Sequence, residues 1–208
     1  NDKTSPKHDS HTATHLKQCC KYICFKRASA VDFIFLKTID GYFMTMLFEP
    51  WKQFQHSAVR QLAFSIASPN ILSNIPPELS LQHVFDLHPN GFWQQQYENY
   101  HPRLLELDQN PQPLIDFLSQ LKSTRLGLRF EYLMWFWLQD DMYHHFKLIG
   151  HSIQIIQKKQ ALGELDFLLF NTQTQQVEHW EVALKYYLAE ANLSLPHWYG
   201  LNRTDTLQ

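Results

Sequence analysis

The residues best suited to chemistry stand in two neighbouring segments, GELDFLLF (163–170) and VEHWEVALKYYL (177–188). The first offers Glu164 and Asp166, the second His179, Glu181 and Lys185. Both segments are β-rich, and NTQTQQ (171–176) between them reads as a turn. If that turn closes symmetrically, Phe170 faces Val177. Stepping outward along both strands then sets Asp166 directly opposite Glu181, with Cβ atoms about 4.5–5.5 Å apart on one face. Two like charges at ~5 Å repel by about 3 kcal/mol at an effective dielectric near 20. A purely structural hairpin gains nothing from such a pair. A divalent cation reverses the sign of the interaction, and Mg²⁺ is typically held by one or two carboxylates together with water and a substrate phosphate. Asp166 and Glu181 are therefore expected to hold Mg²⁺ or Mn²⁺.

The elements that must position this pair follow from periodicity. Glu164 and Asp166 share one side of their strand, with Leu165, Phe167 and Leu169 on the other. On the partner strand His179, Glu181, Ala183 and Lys185 share a face, and Trp180, Val182, Leu184 and Tyr186 lie opposite. A third β-rich run, FKLIGHSIQIIQ (146–157), precedes them through the connection KKQAL (158–162). Before it stands RLGLRFEYLMWFWLQDD (125–141), apolar nearly all round and hence a buried helix. Glu131 sits in the middle of that helix, and periodicity leaves open which side of the sheet it approaches. A buried helix followed by a three-stranded antiparallel meander is an α+β arrangement. Upstream, Val59, Leu62, Ala63 and Ile66 keep helical spacing until Ser68-Pro69, a helix is expected over Trp93 to Tyr100, and PLIDFLSQLK begins another with proline in its first turn. Near the start, Asp40-Gly41 between VDFIFLKTI and YFMTMLF reads as a β-hairpin, and the polar first fifteen residues as a mobile tail.

Composition narrows the classes. At 208 residues the chain suits one ordinary domain or two small ones, and 44% hydrophobic with 14% aromatic residues supplies a real core. A formal net charge of −2 argues against a strongly basic, groove-coating nucleic-acid binder. Cys19, Cys20 and Cys24 are odd in number and clustered, which fits a reducing, cytoplasmic setting better than a disulfide framework. Lys26, Arg27, Asp32, Lys37 and Asp40 interrupt the likeliest apolar stretch, so no membrane span is expected. His11, His15 and Cys19 recur at four-residue steps and would align as metal ligands on a helix, although an incidental set on a polar tail is the plainer reading. His144-His145 and His151 read as exposed loop histidines, Trp135 and Trp137 as core rather than a stacking platform, and Lys158-Lys159 as a solvated turn. Neither a phosphate-binding glycine loop nor a recognisable serine or cysteine nucleophile is present.

An acid on a helix, then Gly-Glu-Leu-Asp on one strand, then Glu and Lys on the next, resembles the PD-(D/E)XK nuclease superfamily. More specifically, LGELDFLLF with HWEVALKYYL, VRQLAFSIASPNIL (59–72), RLGLRFE and the closing YGLNRTDTLQ resemble a bacterial family defined only as a domain of unknown function, number 1853. The likeness runs from about Trp51 to the C-terminus, leaving residues 1–50 as an extension and 51–208 as the family domain, helical over 51–140 and a β-meander over 145–188. The resemblance implies a restriction endonuclease-like core whose last helix and strand lie beyond Gln208. It also implies a Mg²⁺-dependent nuclease-like activity on the phosphodiester bonds of nucleic acid. Asp166 and Glu181 would be catalytic metal ligands, Glu131 an additional ligand, and Lys185 the lysine that meets the phosphate. The superfamily's lysine would fall at Ala183, so Lys185, about 13 Å along a regular strand from Glu181, departs from the pattern. The alternative is a catalytically silent member of the fold that binds nucleic acid or a protein.

Overall fold

A computed structural model describes residues 17–25, 49–70, 85–186, 188–189 and 198–199. Among them, the helices precede a meander and pack on one of its faces. Helix α1 (Ser57–Ala67) forms where Val59, Leu62, Ala63 and Ile66 repeat every third or fourth residue, and all four are fully buried. The His56 side chain caps its start by accepting from the Ala58 amide, and Ser68-Pro69 ends it. Helix α2 (Asn90–Gln109) is much longer than the stretch expected over Trp93–Tyr100 and runs through Pro102. An interior proline costs a helix roughly 3 kcal/mol. The stripe Trp93, Tyr97, Tyr100, Leu104 and Leu107 continues across it, every member buried, and outweighs that cost. Helices α3 (Gln112–Ser119) and α4 (Leu126–Gln139) fall where expected. In α4 burial begins at Phe130, whereas Leu126 and Leu128 in the first turn stay exposed.

Strands β2 (Phe146–Gln157), β3 (Gln160–Asn171) and β4 (Gln176–Tyr186) make the antiparallel meander, so the α+β reading holds. The symmetric closure is present: Asn171 pairs with Gln176, Phe170 with Val177, and the ladder continues to Phe167 and Trp180. Asn171 Oδ1 accepts from the amides of Gln173 and Thr174 and shapes that turn. The β2–β3 turn is shorter than KKQAL. Lys158 and Lys159 alone make it, at φ of 49° and 68°, the conformation a two-residue hairpin requires. Trp180 is the centre of the core, meeting Trp93 at 5.5 Å, Phe146 at 4.8 Å and Trp137 at 6.3 Å between ring centroids.

Strand β1 (Lys17–Phe25) lies parallel to β4, which gives the order β1-β4-β3-β2, and β5 (Leu188–Ala189) pairs with β6 (Trp198–Tyr199). Cys19 is thus on a strand rather than on a helix. His11, His15, the tail over 1–15 and the Asp40-Gly41 hairpin lie outside the described residues. Among the described residues, no helix is long and apolar enough to cross a membrane.

Candidate functional site

The site forms where the β3–β4 ladder ends. Beyond the Phe167–Trp180 pair the backbone pairing stops. The Asp166 side chain takes over, its Oδ2 accepting at 2.8 Å from the amide of Val182, one residue past Glu181. The strands fork here, and two carboxyls stand at the fork. Glu181 Oε1 lies 2.5 Å from His179 Nε2 on the same face of β4, and His179 is itself buried. The Asp166 carboxyl is pushed up to about 6 from an ordinary 3.8. Burial is the main cause, opposed by the Val182 amide and reinforced by the charges of Glu181 and Glu131 and a hydrogen bond with Glu181.

Glu131 reaches the same field from α4. Its Oε1 accepts at 3.0 Å from the hydroxyl of Ser152 on β2. Burial raises its pKa first, the Ser152 bond opposes this, and Glu164 and Glu181 raise it further. The structure therefore brings together Asp166, Glu181 and Glu131, with Glu164 near Glu131. Lys185 is placed differently. It is exposed, beyond Ala183 on the Glu181 side of β4, and among the described residues no ion pair joins it to either acid.

Among the described residues no group of three or more His, Cys, Asp or Glu side chains is arranged to hold a metal. Two crowded carboxyls fall short of the four nitrogen or sulfur ligands of structural zinc. Mg²⁺, by contrast, is commonly held by only one or two carboxylates and keeps most of its waters.

Two features escape a pattern reading. Ser152 adopts φ 48° between irregularities in the β2–β3 pairing, and no motif marks it. His179 was legible as a face-mate of Glu181, but not as its contact. Opposite the fork, on the core side of β4, stands a second acid, Glu178, only 1% exposed. It accepts from Asn171 Nδ2 and from the Trp180 indole, both at 2.8 Å, and lies 3.7 Å from His88. Burial pushes its pKa up, and the bonds from His88, Asn171 and Trp180 more than reverse this, leaving it at about 2. His144, expected to be exposed, is buried instead. Its Nδ1 accepts from the Phe146 amide and its Nε2 bonds the Trp137 carbonyl, so both ring nitrogens are engaged in local structure. His151 packs on Trp135 at 3.6 Å between centroids.

Fold and site together define a mixed α+β protein with a carboxylate cluster at a fork in its sheet. Residues 60–208 match the family model described as domain of unknown function (DUF1853), and the chain belongs to that family. No curated protein and no solved structure matches the chain.

Proposed function

We propose that the protein is a Mg²⁺- or Mn²⁺-dependent nuclease-like phosphodiesterase of the PD-(D/E)XK kind, acting on nucleic acid in the cytoplasm. The observation that supports this reading is the convergence of acids from a helix and two adjacent strands, Glu131, Asp166 and Glu181, on one fork. When bound, the cation would polarise a phosphate and lower the pKa of an attacking water. The chain's own residues divide the remaining work. Asp166 holds a proton below about pH 6 and must release it to become a ligand. Glu181, in contact with His179, would supply a second carboxylate oxygen, and Glu131, bonded to Ser152, would orient a water. Lys185, on the Glu181 face, would meet the charge developing on the phosphoryl oxygens.

Calorimetric titration of Mn²⁺ into the wild type and Asp166→Asn at pH 7.5 tests the reading. Saturable heat in the wild type, and its loss in the variant, is the expected result. No heat in the wild type sinks it. The exposed position of Lys185, with no ion pair to the acids, favours a second reading: a silent module that uses the fold to bind nucleic acid or protein. Mn²⁺ binding without cleavage of single- or double-stranded substrates, and with Lys185→Ala indistinguishable from wild type, would decide for that alternative.

A further inference from the structure

A concavity apart from the acids lies between the 3-10 turn Pro50–Gln53, α1, α4 and Leu184 of β4. It holds about 470 Å³, within the range of small-molecule sites. Phe130, Leu133 and Leu184 give its lining an aliphatic and aromatic part, and Trp51 and Phe64, which meet edge to face at 4.9 Å, line it as well. Its charges are all of one sign: Lys52, Arg60 and Arg129 line it, and among the described residues no Asp or Glu does. Lys52 is already held by Glu49. The two guanidiniums are held by neutral acceptors instead. Arg60 Nη1 donates to the carbonyls of Phe54 and Gln55 at 2.9 and 2.6 Å, and Arg129 Nε donates to Gln61 Oε1 at 2.6 Å. Each guanidinium is thereby held by neutral acceptors, and among the described residues no carboxylate pairs with either.

Two anchored cations with no carboxylate partner among the described residues, beside aromatic and aliphatic side chains, fit a ligand with a flat apolar body and an anionic end. We propose that this cavity binds a phosphorylated nucleoside, its base against Trp51 and Phe64 and its phosphate at Arg60 and Arg129. Aromatic walls take any base through its π-face, so the recognition is of class rather than of sequence. The same chemistry arrives from two sources, a free mononucleotide or the 5′-phosphorylated end of a single strand. The proposal does not depend on the carboxylate fork, and metal-free conditions separate the two.

The test is calorimetry on the full chain in EDTA, with 5′-AMP, adenosine and a 5′-phosphorylated ten-residue thymidine strand as probes. 5′-AMP or the strand should bind the wild type. Adenosine should bind at least tenfold more weakly than 5′-AMP. Arg129→Gln should weaken binding about tenfold or more by removing charge, and Leu126→Trp should do so by filling the lip of the cavity from an exposed position. Asp166→Asn should stay within about twofold of wild type. Circular dichroism confirms that each variant is folded. Binding of the strand alone identifies the strand end as the source, whereas binding of 5′-AMP identifies the free nucleotide as sufficient. The assignment is overturned if neither probe binds, if Arg129→Gln and Leu126→Trp both bind like wild type, or if Asp166→Asn abolishes binding and so moves the ligand to the fork.

Discussion

Asp166 and Glu178 are acids on opposite faces of one hairpin, and their surroundings drive them in opposite directions. Asp166, at about 6, holds its proton more tightly when folded than when unfolded. Its contribution to stability is therefore full below about pH 4 and lost as pH rises through about 6. Asp166→Asn keeps an acceptor for the Val182 amide and removes the charge. In the absence of metal it should raise stability by about 1–2 kcal/mol above pH 6, after allowance for solvent screening, and have little effect near pH 4. Melting curves at the two pH values check this. A lower melting temperature for the variant at pH 7.5 would make Asp166 a structural acceptor. Glu178, at about 2, behaves conversely: its stabilisation is full above about pH 4.5 and lost as pH falls through about 2. Glu178→Gln should cost about 2–3 kcal/mol at pH 7 and flatten the acid limb of the stability profile. The Asp166–Glu181 approach was legible because period-two alternation and a symmetric turn determine which residues meet. Glu178 left a signal too, an acid on the otherwise apolar side of β4, and Asn171 is its diagonal neighbour across the hairpin; its other partner, His88, comes from a distant loop position that no periodicity relates.

Local patterns located most of the described elements and misjudged two of them for identifiable reasons. Helix α2 exceeds its expected length because a five-residue buried stripe carries it past Pro102. The β2–β3 turn is two residues long although neither is the glycine or asparagine that such a turn favours. Lysine in the left-handed region costs roughly 1–2 kcal/mol. Replacing Lys158-Lys159 by Asn-Gly should therefore stabilise the hairpin by about 1 kcal/mol, read as slower amide exchange across Gln157 and Gln160. Faster exchange there would show that the lysines contribute more than turn geometry.

At the scale of the whole molecule, the sheet extends into a part of the chain that the family model does not reach. Strand β1 ends at Phe25, and the match begins at Arg60. Through β1 the far edge of β4 is paired, and an unpaired edge is an open template for other strands. Removal of residues 1–25 should expose that edge, lower the melting temperature by several degrees and promote self-association in gel filtration. Removal of residues 1–16 should do neither. Equal behaviour of the two truncations would mean that β1 contributes nothing to the fold. Nothing in the sequence reading anticipated this strand, because a parallel partner more than 150 positions away leaves no local mark and KQCCKYICF does not alternate cleanly.

The substitution of a side chain for a backbone acceptor at the fork makes one amide proton a spectroscopic witness. Most ladder amides bond to carbonyls that do not titrate, whereas the Val182 amide bonds to a carboxyl that changes charge near pH 6. In a ¹⁵N-labelled sample its resonance should move along a sigmoid centred near pH 6 while amides on the Phe167–Trp180 side of the fork hold still. Added Mn²⁺, which broadens nearby signals through its unpaired electrons, should erase it early in a titration. A single cross-peak thus reads both the protonation of the fork and its occupancy, before any substrate is known.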